Sequence, residues 1–121
     1  MVRAAYEDLC YFLQDSKANI AVEMDPELLS GVSFLQKFLW LNNIKHPIGI
    51  NSGYRTERTN ALTEGAVRDS YHTKAAALDI TVPQVENTML AAIAERVGFG
   101  GIGLYRNFVH LDTGRARKWL G

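Results

Sequence analysis

The chain has 121 residues, 47% hydrophobic and 21% charged, the balance of one ordinary globular domain with no room for a second. Thirteen Lys+Arg offset thirteen Asp+Glu, so the formal net charge of zero argues against a broad basic face for nucleic acid and against a polybasic membrane patch. The one cysteine, Cys10, rules out an internal disulfide and a thiolate zinc site, and no apolar run is long enough for a transmembrane helix.

Taken in chain order, residues 3–14 place Ala5, Leu9, Phe12 and Leu13 near one helical face. Glu7 and Asp8 interrupt that apolar region, so it does not read as a secretory signal. Residues 15–21 read as a connection. Asp25 then starts a second helix as N-cap, with Pro26 at the first helical position and Glu27 complementing the dipole. Leu28, Val32, Leu35 and Leu39 form its stripe, which Phe34, Phe38 and Trp40 are expected to widen; Asn42, Asn43 and Pro47 end it.

Residues 48–50 are a short strand candidate, 56–62 a polar helical stretch and 64–71 a loop. Residues 77–81 alternate, with Leu78 and Ile80 on one face and Ala77, Asp79 and Thr81 on the other. Pro83 precedes a third apolar helix expected to bury Val85, Met89, Ala92, Ile93 and Val97, and Gly98 stops it. Residues 102–105 and 108–112 read as a hairpin around Arg106-Asn107. Helices first and short strands later predict an α+β class: helices packed on a small antiparallel sheet, one domain over 1–121.

A catalytic zinc wants three N/O ligands and an open position. His72, Asp79 and His110 could supply two imidazoles and a carboxylate, because Asp79 points away from the Leu78/Ile80 face and His110 shares a face with Phe108 and Asp112. On spacing alone a surface-loop His72 and a hydrogen-bonded strand His110 are the commoner readings.

Ser52-Gly53-Tyr54-Arg55 with Asn60, Ser70-x-His72 with Ala77-x-Asp79, and Gly103-x-Tyr105 with Phe108-Val109-His110-x-Asp112-x-Gly114 and Trp119 follow in this order. They resemble the M15 zinc peptidases, the D-Ala-D-Ala carboxypeptidase and murein endopeptidase group, in its short single-domain branch of bacteria and phages. The resemblance runs over about residues 25–119 and leaves the helix in 1–24 without an assigned role. It implies one Zn²⁺ held by His72, Asp79 and His110, Arg55 facing the substrate and the developing oxyanion, and Ser70 as an orienting or substrate-binding hydroxyl. Tyr54, Tyr105 and Trp119 are read as packing residues.

Two positions depart from the family. Its glycine three residues after the first histidine is Ala75 here, and the acidic residue often found three before the last histidine is Asn107, which cannot accept a proton. Asn107 is therefore expected to contact water or substrate. Asp112 is the nearest carboxylate in sequence for the general base, but an orienting role toward His110 or another ligand ranks slightly ahead of it, and Glu64 and Asp69 are the next candidates for the base.

The resemblance implies a zinc metallopeptidase acting on peptidoglycan peptides, carboxypeptidase or endopeptidase, monomeric, with no nucleic acid and no membrane insertion. The alternative is a metal-binding, weakly active cell-wall-recognition domain or virion component, and a metal-free scaffold ranks last. The expected location is synthesis in the cytoplasm without a signal peptide, with action on the wall after release or from a virion.

Overall fold

The computed structural model describes residues 3–63 and 70–121. Helix α1 (Arg3–Phe12) buries Tyr6 and Cys10, with Leu13 just beyond its end; Ala5 and Phe12 are exposed. The buried stripe is thus rotated from the expected one. Its polar tips explain this: the Tyr6 hydroxyl donates to Met24 O, and the Cys10 thiol accepts from Met24 N–H, so both side chains bury without an unsatisfied group.

Helix α2 (Pro26–Leu41) begins as its sequence predicts, with the Asp25 carboxylate accepting from Glu27 N–H at 3.0 Å. Leu28, Leu29, Leu35 and Leu39 are buried. Phe34 and Trp40 do not widen the stripe: at 3.6 residues per turn they fall outside it and are exposed. Helix α3 (Glu57–Leu62) is capped by Thr56. Helix α4 (Asn87–Val97) buries Leu90 and Ala94 rather than Met89 and Ala92, and Gly98 ends it at φ 110°. Among the described residues no helix is long and apolar enough to cross a membrane.

Five strands, β1 (Gly49–Ser52), β2 (Ala77–Thr81), β3 (Gly101–Leu104), β4 (Val109–Asp112) and β5 (Arg117–Leu120), form one sheet in the order β1-β2-β4-β3-β5. The β3–β4 pair is the expected hairpin, closed around Arg106-Asn107 by Tyr105 N–H on Phe108 O. The sheet is not wholly antiparallel: β5 joins β3 in parallel. Residues 115–120 carry no turn signal and no neighbour in sequence to pair with, so only the finished β3 edge makes them a strand.

The period of two sorts the sheet into two faces. Leu78, Leu111 and Ile102 form one row, and Ile80, Val109 and Leu104 the next; these belong to the hydrophobic core shared with α1, α2 and α4. On the opposite face, Ser52, Asp79, His110, Gly103 and Trp119 form one row across all five strands. The adjoining row is Ala77, Asp112, Gly101 and Arg117.

Candidate metal centre and active-site groove

Asp79 and His110 stand directly opposite each other in the β2–β4 register. His72 reaches them from a 3₁₀ turn, Tyr71–Lys74, whose cap is Ser70: its hydroxyl accepts from His72 N–H at 3.2 Å. Ala75 ends the turn at φ 57°, ψ 31°. The position does need a left-handed residue, which explains the glycine of the family pattern and costs an alanine about 1–2 kcal/mol.

All three side chains are buried, and their inward donor atoms lie within 4.8 Å of one another. Each imidazole has its outer nitrogen fixed. His72 Nδ1 donates to Gly53 O at 2.7 Å, and His110 Nε2 donates to Asp112 Oδ2 at 2.7 Å. In the neutral rings this leaves His72 Nε2 and His110 Nδ1 as bare lone pairs, both aimed at Asp79 Oδ1, at 3.0 and 3.1 Å. Three electron-pair donors at such separations repel unless a positive charge sits among them. Ligands at ~2.0–2.2 Å in a tetrahedral site stand little more than ~3 Å apart, so the donor set and its spacing fit a zinc ion.

The charges agree with this reading. Burial opposes ionisation of Asp79, but the two imidazoles beside it, His110 and His72, hold its carboxyl at about 2. Burial also opposes a charged His110, yet Asp112 and Asp79 raise its pKa above the ordinary value. A proton or a metal ion is thus drawn to the same point.

Asp112 stands behind His110. It is fully buried and accepts from His110, from both Nη atoms of Arg117 at 2.9 and 2.8 Å, and from Gly101 and Gly114 N–H at 3.1 and 2.9 Å. Burial works against ionisation, but His110, Arg117 and Gly114 N–H hold its pKa well below the usual carboxylate range. Of the two readings of Asp112, orienting group and proton acceptor, the contacts favour the first: five donors fill its lone pairs, and it is not among the residues lining the groove. Its geometry is that of an orienting group. A Cβ at Gly101 would stand 2.3 Å from both Asp112 oxygens, so this packing requires glycine.

Arg55 spends three of its five N–H donors on the framework. Nη2 meets Asp79 Oδ2 at 3.1 Å, Nε meets Ser52 at 3.1 Å and Nη1 meets Asn60 at 3.0 Å. Around this centre runs a groove of about 1040 Å³. At the β5 edge its wall includes Tyr105, Phe108 and Trp119; at the β1 edge it includes residues 12–17. The Trp119 ring lies 5.2 Å from that of His110, in space that a Cβ at Gly103 would fill, 2.6 Å from the indole.

The expected site residues are thus not all brought together. His72, Asp79, His110, Arg55 and Ser70 line one groove. Asn107, expected to contact water or substrate, is exposed in the hairpin turn outside that lining. Glu64 and Asp69 lie outside the described residues. Sequence reasoning missed Arg117 and Asp15, and it met Gly53 only as part of a motif, without the role of its carbonyl. The alternation that singled out Asp112 would have flagged Arg117 only with the parallel β3–β5 register in hand.

Over residues 1–119 the chain matches the M15 peptidase family model described as peptidoglycan L,D-endopeptidase MepK. The chain belongs to this family. It is 35% identical over 124 residues to the probable peptidoglycan L,D-endopeptidase MepK of Haemophilus influenzae, covering 98% of this chain and 66% of that protein. With peptidoglycan L,D-endopeptidase MepK of Escherichia coli K12 it shares 36% over 117 residues, covering 92% of this chain and 63% of that one. The protein of that name from Shigella flexneri matches equally. This chain spans just under two thirds of the length of these relatives.

The match begins at residue 1, so α1 belongs to the family pattern that the sequence motifs placed only from about residue 25. The expected location is overturned. The matched relatives bear the name peptidoglycan L,D-endopeptidase and come from bacteria, Haemophilus influenzae and Escherichia coli among them, rather than from phages.

Proposed function

We propose that this chain is a zinc-dependent peptidoglycan endopeptidase that cuts a peptide bond between L- and D-configured centres. One observation carries the reading: His72 Nε2, His110 Nδ1 and Asp79 Oδ1 converge on one point of the groove with their outer atoms already bonded. The names of the relatives supply the substrate class. When bound, zinc supplies Lewis-acid chemistry, polarising a carbonyl and acidifying water.

The chain's own residues do the rest. Gly53 O and Asp112 hold the two imidazoles in the tautomers that present bare nitrogens inward. Arg55, tied at three points, keeps Asp79 in place and turns its remaining N–H donors to the charge that grows on the substrate oxygen. Ser70 accepts from His72 N–H and keeps its own O–H for the substrate. Tyr105, Phe108 and Trp119 give the groove an apolar wall for the peptide.

A second reading, a slow or inactive wall-recognition domain, is favoured by one observation. Among the described residues the carboxylates lining the groove are Asp15 and Asp79, and both are already bonded. Digestion of purified peptidoglycan, with products weighed by mass spectrometry, separates the two. L,D-cleavage products that vanish with chelator and return with zinc support the enzyme. Products that persist in chelator overturn the zinc assignment, and binding to the wall without products supports the second reading.

A further inference from the structure

Asp15 is a buried carboxylate, 3% exposed, in the stretch between α1 and α2 that the sequence presents as a plain connection. Oδ1 accepts from Lys17 and Ala18 N–H, both at 3.0 Å, and Oδ2 accepts from Thr56 N–H at 2.8 Å. Its backbone exchanges two hydrogen bonds with Ile20. Burial opposes its ionisation, but the N–H of Thr56, the Thr59 hydroxyl and the N–H of Ala18 bring its pKa down to about 2. A group held this firmly organises its surroundings.

What it organises is the strap Gly53–Thr56, which runs from the end of β1 to the cap of α3. On one side the strap is pinned to the N-terminal loop. Tyr54 N–H donates to Leu13 O at 2.9 Å, Thr56 N–H donates to Asp15, and a Cβ at Gly53 would meet Leu13 O at 2.7 Å. On the other side it is pinned to the metal cluster. Gly53 O takes His72 Nδ1–H, Arg55 N–H donates to His72 O at 3.1 Å, and the Arg55 guanidinium holds Asp79. Among the described residues the strap connects Asp15 to these three groups.

We infer that Asp15 is a positioning residue that sets His72 and Arg55 through the strap, so that residues 13–18 belong to the frame of the active site. The activity arm of its test rests on the function proposed above; the metal-binding arm does not. Asp15→Asn keeps the volume but puts an amide N–H₂ in place of one acceptor oxygen. It should weaken Zn²⁺ binding, measured against a competing chelator, by about tenfold. It should also lower kcat at least about tenfold with KM within about twofold, the signature of a group needed only as the reaction proceeds. Val97→Ala on α4, outside the groove, serves as the destabilised control and should keep wild-type zinc affinity and kcat.

Gly53→Ala supplies the second variant, because it pushes the strap off Leu13 with Asp15 intact and should lose zinc affinity alike. Wild-type zinc affinity in Asp15→Asn or in Gly53→Ala overturns the inference, and so does an equal loss in Val97→Ala. If the wild-type chain binds zinc but cuts no peptidoglycan, the proposed function fails and the zinc arm still decides the role of Asp15.

Discussion

Replacing Asp112 by Asn tests the support behind the metal centre. The carboxylate is fully buried and bound by five donors, two of them from one guanidinium. The amide nitrogen of Asn must face either His110 Nε2–H or an Arg117 N–H, donor against donor. Breaking a buried ion pair by removing one partner costs about 3–5 kcal/mol. Arg117 keeps 22% of its side chain in water, so the lower end, about 3 kcal/mol, applies. For a chain of this size each kcal/mol moves Tm by roughly 3–5 °C, so the expected drop is about 10–15 °C. Zinc affinity should fall about 10–100-fold as His110 loses its orienting acceptor.

Thermal scans across pH add a sign check. The pKa of Asp112 is lowered from 3.8 on folding, so its contribution is present above that value and is lost as pH falls toward the depressed one. The gap between wild type and variant should therefore be widest near neutrality and shrink below pH 3.8. A variant that melts within about 3 °C of wild type at pH 7 and binds zinc as tightly would refute the orienting role.

Gly103→Ala should push Trp119 off the sheet, because the new Cβ would lie 2.6 Å from the indole. The cost is about 1–3 kcal/mol, with a shift in tryptophan emission; unchanged melting and emission would show that the ring does not need that space. Arg55→Lys should keep the fold yet lower kcat about 10²-fold, since an ammonium cannot tie Ser52, Asn60 and Asp79 in one plane. Wild-type turnover in that variant would make Arg55 a framework residue only.

The parts legible in the sequence are those governed by short periods. Asp25-Pro26 announces the start of α2, and the alternation in 77–81 and 108–112 puts Asp79 and His110 on one sheet face. His72 was placed by resemblance to a motif rather than by any local pattern. The faces of α1 and α4 were misjudged by a residue in each case. Tyr6 and Cys10 count as half-polar in a periodicity argument, and their burial depends on Met24 backbone groups from another segment.

The chain by itself determined the α+β class, the N-cap of α2, the β3–β4 hairpin and the shared sheet face of Asp79 and His110. These follow from capping, two-residue turns and side-chain alternation, which act between residues close in sequence. Tertiary structure alone decided that β5 runs parallel to β3 and so brings Arg117 under Asp112, and that Asp15 anchors the strap of His72 and Arg55. It also decided that Asp112 is committed to five donors and that Asn107 faces solvent. A carboxylate reads the same in sequence whether its lone pairs are free or filled. Which it is depends on N–H groups that arrive from other segments, Thr56 for Asp15 at a separation of 41 residues and Gly101 for Asp112 at 11.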